Sequence, residues 1–416
     1  MSPRVPTVLR ERDYRRLLSS SVLYGFGREM TFVAVGWQVY DIARNPFHLG
    51  LVGLAEFLPL LLFALPAGAI SDRFSRKHVY IASLLIDAAI TVGLLFVSLS
   101  GADSLWPFLA LSFASGSSAA LGNPAVRSMW PTLVPLALLT RALALRSTVS
   151  QATVVTGPAV GGLLFALSPQ AVYGTAAVLM LLAAAVSVRI APRAIERAPA
   201  AIVGTRLGTL FAGLRFVRKT PVLFGAISLD LVAVLFGGAV ALLPLFARDV
   251  LEVGPVGLGI LRSAPAVGAL LAGIMLTRRP LRGSAGRKLL IVVGVFGLSM
   301  IVFGLSTSFP LSFAALAVSG FVDMISMNIR SMITALATPD DLRGRVNAVE
   351  MVFISASNEL GAFESGAAAA LLGAVPAVVV GGSLTIAAAL VWPRLFPAMA
   401  RIDRLESLHP ASGTSP

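Results

Sequence analysis

Apolar stretches long enough to cross a bilayer recur twelve times along this chain, at about 17–40, 47–70, 78–100, 105–124, 143–167, 169–189, 221–247, 256–277, 288–307, 310–330, 345–372 and 374–396. A helix needs about 20 such residues to span hydrocarbon. In lipid the backbone must satisfy its own hydrogen bonds, so stretches of this length predict spanning helices. The connections order them. Of the 33 lysines and arginines, 29 lie in the first 16 residues, in the connections at 71–78, 125–146, 189–220, 278–288 and 330–345, or after 393. The connections at 100–104, 167–169, 307–310 and 372–374 hold none, and the four remaining bases are Arg28, Arg44, Arg248 and Arg262. Bases collect on the cytoplasmic side. The pattern predicts an all-α integral membrane protein with twelve transmembrane helices and both termini cytoplasmic.

The composition agrees: 56% of the residues are hydrophobic and 13% charged, against about 25% charged in soluble domains. The net charge of +13 is spread as short clusters between apolar segments and forms no continuous basic face, which argues against a nucleic-acid partner. With no cysteine and with His48, His78 and His409 far apart, no thiolate chemistry or metal site is expected. There is no phosphate-binding loop for an ATP motor, and no cofactor or enzymatic activity is expected. Residues 1–16 carry five arginines without a signal-peptide cleavage pattern and read as a cytoplasmic tail.

Two six-helix bundles, 17–189 and 221–396, are separated by a linker at 190–220 and followed by a tail at 397–416. In the linker Leu207, Leu210, Phe211, Leu214 and Val217 recur at helical spacing beside Arg206, Arg215, Arg218 and Lys219. That is the pattern of an amphipathic helix on the inner membrane surface. The halves repeat each other: Arg127-Ser128-Met129 recurs as Arg330-Ser331-Met332, and Leu139 and Leu143 fall on Leu342 and Val346 at the same offset. Duplicated halves are a transporter architecture.

Between the second and third segments stands Gly68-Ala-Ile-Ser-Asp72-Arg73-Phe-Ser-Arg76-Lys77. With it, residues 12–396 resemble the major facilitator superfamily, whose pattern at this loop is Gly-x-x-x-Asp-Arg-x-Gly-Arg-Lys/Arg; Ser75 takes the place of the usual glycine. The resemblance implies the major facilitator fold, with two pseudo-symmetric bundles rocking about a central site. It also implies a cytoplasmic gate at Gly68, Asp72, Arg73, Arg76 and Lys77, in which Asp72 latches against the inner end of the eleventh helix near Gly344 and Arg345. Read plainly, the same loop is topogenic, its charges staying in water. Gly157-Pro158-Ala-Val-Gly161-Gly162 is similar to the Gly-Pro signature of the family's exporters, where proline frees a backbone group and glycines let helices approach. Ser112, four residues before Gly116, stands where drug exporters carry an arginine. With that difference, Leu210-Phe-Ala-Gly-Leu-Arg-Phe-Val217 and Thr338-Pro-Asp-Asp-Leu-Arg-Gly-Arg-Val-Asn347 resemble the enterobactin (siderophore) exporter branch.

An ionised side chain in mid-membrane costs about 2.5–3.5 kcal/mol even on the insertion scale, so each calls for a reason. The candidates are Arg28, Glu29, Glu56, Asp87, Asp230, Arg262, Asp323, Glu350, Glu359 and Glu364. The superfamily architecture places the third, sixth, ninth and twelfth helices outside the cavity, and of these acids only Asp87 lies on one of them. Glu29, Asp230 and Glu359 are the leading proton carriers. Arg28, Glu56 and Asp323 complete the expected cavity, with ion pairing of Arg28 to Glu29 or Glu56, and of Arg330 to Asp323, as the structural alternative.

The expected function is secondary active export of an amphipathic small molecule, a siderophore or a lipophilic drug, by proton antiport across the bacterial inner membrane. Na⁺ coupling, a proton-coupled importer and a non-transporting sensor on the same fold are alternatives. Beyond substrate, coupling ion and lipid bilayer no partner is expected, and a monomer is anticipated. An acidic cavity would favour cationic or neutral cargo.

Overall fold

The computed structural model describes residues 8–101, 103–191, 206–279, 283–340 and 342–403, with the side chains of 64–73 and 206–210 outside the description. Among the described residues the secondary structure is helical. In chain order the long helices are α1 (Arg12–Ala43), α2 (Pro46–Arg73), α3 (Arg76–Leu99), α4 (Trp106–Met129), α5 (Leu139–Leu167) and α6 (Pro169–Val188). The linker helix α7 (Arg206–Lys219) follows, then α8 (Pro221–Gly237), the single turn α9 (Leu243–Leu245) and α10 (Gly254–Arg278). The chain continues with α11 (Ala285–Leu305), α12 (Phe309–Ala337), α13 (Arg343–Leu372), α14 (Ala374–Leu395) and the short α15 (Pro397–Ala400).

Every predicted span but the seventh coincides with one long helix. Nine described helices are long and apolar enough to cross a membrane. The long helices outside that set are α1, α4 and α13. Arg28 and Glu29 interrupt α1, and Glu350, Glu359 and Glu364 interrupt α13, while α4 is rich in Gly, Ser and Ala. Side chains facing outward are large and apolar, among them Phe96, Leu163 and Leu390. That is the surface expected beside lipid.

The seventh segment departs from a single helix. After α8 the chain leaves helical geometry at Gly238, whose ψ is 48°, and continues through 3-10, α and π turns to Val250. The cause is local: Gly237 and Gly238 give no side-chain support, and Pro244 lacks an amide proton. The linker helix forms as its periodicity predicts. Val217 is fully buried, and a Cβ at Gly213 would stand 2.7 Å from the Arg345 carbonyl oxygen of α13. This amphipathic helix therefore lays one face on protein.

The chain divides into two compact units, Met1–Arg44, Ala55–Ala201 and Val253–Ser263 in the first, and Asn45–Leu54, Ile202–Glu252 and Ala264–Pro416 in the second. The first is held by Tyr14, Leu17, Tyr80, Leu84, Met129 and Trp130. Tyr14 donates to the Ala142 carbonyl at 2.7 Å, and the Ser20 hydroxyl lies 2.8 Å from that of Ser187. Leu223, Leu229, Leu289, Ile329, Ile333 and Trp392 form the second core, where the Trp392 indole donates to the Gly225 carbonyl at 2.8 Å. These buried polar groups are given partners, as a low-dielectric interior demands.

Candidate functional site

Two groups of charged side chains sit among these apolar helices, one in each unit. In the second, α8 places Asp230 opposite Arg330 of α12. The Arg330 Nη1 lies 2.5 Å from Asp230 Oδ2, with both side chains more than nine-tenths buried. A buried charge is tolerable only when paired. Arg330 Nε remains without a hydrogen-bond partner among the described residues. Asp323, two turns earlier on α12, and Glu350 on α13 are within electrostatic reach of the same guanidinium. The alternative pairing of Arg330 with Asp323 is therefore corrected: the close partner is Asp230, and Asp323 is exposed at the helix surface. Spacing along one helix favoured the Asp323 pairing, whereas packing of α8 against α12 supplies the nearer acid.

In the first unit, α1, α3, α4 and α5 enclose a cavity of about 240 Å³ that includes Arg28, Glu29 and Asp87 in its lining. Asp87 is buried. Its Oδ2 accepts from the Tyr24 hydroxyl at 3.0 Å. The guanidinium of Arg28 stacks 5.1 Å from the Phe32 ring, and that of Arg262 lies 5.2 Å from the same ring. Placing Asp87 outside the cavity because α3 is peripheral in the family architecture is thus corrected: one face of a peripheral helix still turns inward. Of the expected cavity residues, Glu29 lines this space, while Glu56 borders an adjoining pocket shared with Arg28 and Asp87. The cavity carries Arg28 and Arg146 alongside Glu29 and Asp87, so its charges are balanced.

The glycines around Pro158 have separate tasks. A Cβ on Gly157 would stand 2.8 Å from Glu29 Cβ, and one on Gly161 would stand 2.8 Å from Met30 Cα, so these two glycines seat α5 against α1. On another face, a Cβ at Gly162 would come 3.1 Å from Gly259 Cα, and the Pro158 carbonyl faces Gly259. This backbone-to-backbone seam joins α5 to α10 without room for side chains. In the second unit Gly50 meets Phe363, where a Cβ would be 2.9 Å from the carbonyl oxygen, and Gly53 faces Glu359 Oε2 at 3.4 Å from such a Cβ. Glu359 therefore sits at the α2–α13 seam. Gly68, Asp72 and Arg73 of the loop motif fall on α2, but their side chains lie outside the described residues; Arg76 is exposed and Lys77 half-buried at the start of α3.

The sequence of residues 4–412 matches the transmembrane secretion effector family, MFS_3. The chain belongs to that family. It is a major facilitator superfamily transporter and a multi-pass membrane protein, not an enzyme. Among the relatives of this family member is the multidrug efflux pump Tap of Mycolicibacterium fortuitum, 27% identical over 84% of this chain and 87% of Tap. Another is the enterobactin exporter EntS of Shigella dysenteriae serotype 1, also 27% identical, over 76% of each protein. A crystal structure of the nucleoside transporter NupG superposes with a TM-score of 0.74 at 15% identity, covering 92% of this chain and 100% of NupG. At that identity the likeness establishes the shared fold.

Proposed function

We propose that this major facilitator protein is a secondary active exporter of an amphipathic small molecule, working by alternating access and driven by proton antiport across the bacterial inner membrane. The carrying observation is the Asp230–Arg330 pair, buried between α8 and α12. A proton delivered to Asp230 cancels the attraction and leaves Arg330 with a cost of several kcal/mol unless it finds another acid. Asp323 and Glu350 stand within its electrostatic reach. Protonation of Asp230 therefore favours a rearranged α8–α12 packing, and deprotonation restores the pair.

The two glycine seams support the alternating cycle: with only backbone at the contact, α5 and α10 seal closely at Gly162 and Gly259, and α2 seals on α13 at Gly50. Cargo leaves when these seams part. Glu29, beneath Gly157, and Glu359, facing Gly53, lie beside the moving surfaces and are the further candidate proton carriers. Asp72 with Gly68, Arg73, Arg76 and Lys77 forms the opposite, cytoplasmic gate. The relatives' names, a multidrug efflux pump and an enterobactin exporter, favour outward movement over import.

The test is internal pH in proteoliposomes holding an imposed gradient while siderophores, lipophilic cations and neutral drugs are added in turn. Compound-dependent proton movement with counter-flow of that compound is expected, and Asp230→Asn should abolish the proton movement. Proton-independent flux, or inward flux alone, would refute antiport or export respectively.

A further inference from the structure

The first-unit cavity contains an acceptor that the antiport scheme does not use. Asp87 is 5% exposed, and while Oδ2 accepts from Tyr24, Oδ1 is buried without a hydrogen-bond partner among the described residues. An unsatisfied carboxylate oxygen in a low-dielectric site is costly. The arginines bordering the cavity also stack on aromatic rings, Arg28 at 5.1 Å from the Phe32 ring and Arg146 at 5.0 Å from that of Trp130, while Arg28 remains within electrostatic reach of Asp87. Neither forms an ion pair with Asp87 within 4.0 Å. The space of about 240 Å³ far exceeds the roughly 10–15 Å³ that one water requires.

From these observations we propose that this cavity is a cargo-binding site in which Asp87, steadied by Tyr24, accepts a hydrogen bond from the ammonium group of a cationic aryl or alkyl amine. The apolar part of the amine lies along α4 and α5 toward Trp130. This deepens the exporter reading and rests on it for the word cargo, but the site is built entirely within the first compact unit. An ammonium supplies both the missing donor and the compensating positive charge, which a neutral alcohol of the same shape does not. The Tyr24 hydroxyl holds the carboxylate rotamer, so Tyr24 acts as a positioning residue.

The experiment is calorimetric binding of 2-(1-naphthyl)ethylamine and its neutral counterpart 2-(1-naphthyl)ethanol to the purified full chain in detergent. The amine is expected to bind more tightly than the alcohol, and Asp87→Asn should weaken the amine about ten- to a hundredfold, the range for a hydrogen bond to a charged group. The alcohol should change no more than about twofold, within the range of a neutral contact. Ser150→Trp, on an exposed cavity-lining position of α5, should block both ligands, and the alcohol's retained binding to the Asp87 variant reports that this variant is folded. Equal binding of amine and alcohol, equal loss of both in Asp87→Asn, or undiminished binding in Ser150→Trp would overturn the proposal. Binding that depends on Asp87 in vesicles that show no export would sink the exporter reading and leave the site standing.

Discussion

Removing one member of the Asp230–Arg330 pair strands the other, and the structure sets the scale. With side-chain exposures of 9% and 6%, neither group recovers solvation from water. Breaking such a pair costs about 3–5 kcal/mol, whereas replacing both members by apolar residues of similar volume is often neutral or stabilising. Asp230→Leu and Arg330→Met should each therefore lose about 3–5 kcal/mol, while the double variant should stay within about 1–2 kcal/mol of the wild type. The assay is a double-mutant cycle read by reversible unfolding in mixed micelles, with proton-coupled flux measured on the same four proteins. The double variant should fold and insert, yet move no protons. A double variant no more stable than the weaker single, or singles costing less than about 1 kcal/mol as exposed pairs do, would refute the claim that these charges depend on one another.

The glycine seams predict opposite outcomes at two positions. Gly162→Val pushes a Cβ to 3.1 Å from Gly259 Cα and should cost about 1–3 kcal/mol as overpacking, whereas Gly174→Ala, with nothing within 4 Å of its Cβ, should hold or gain up to about 1 kcal/mol. Both are measured by unfolding in micelles, and equal losses would remove the packing argument. Tyr14→Phe deletes the buried 2.7 Å bond to the Ala142 carbonyl and should cost about 1–3 kcal/mol in the same assay; no change would mean the carbonyl finds another donor. Asp72→Asn should leave unfolding unchanged and lower flux in vesicles, so that normal flux would eliminate the gate role. Of Glu29→Gln and Glu359→Gln, at least one should bind cargo yet lose its response to pH; retention of coupling in both would confine proton transfer to Asp230 or elsewhere.

The all-α membrane fold was legible in the chain because hydrocarbon leaves few options: a run of apolar residues must be helical to satisfy its backbone. The linker helix at Arg206–Lys219 was legible for the same periodic reason. The break after Gly237 was written in Gly237, Gly238 and Pro244 but masked by the uniform hydropathy of the segment. Charge partners were a different matter. Spacing along α12 brought Arg330 toward Asp323, and only the packing of α8 on α12 selected Asp230. Asp87 was set aside because its helix belongs to the outer group, yet the rotation of α3 about its own axis turns it to Tyr24. Sequence periodicity reports what one helix presents to apolar surroundings. Which buried charge meets which is decided by helix rotation and contact, where a few ångströms in a low-dielectric interior separate a paired ion from an unpaired one.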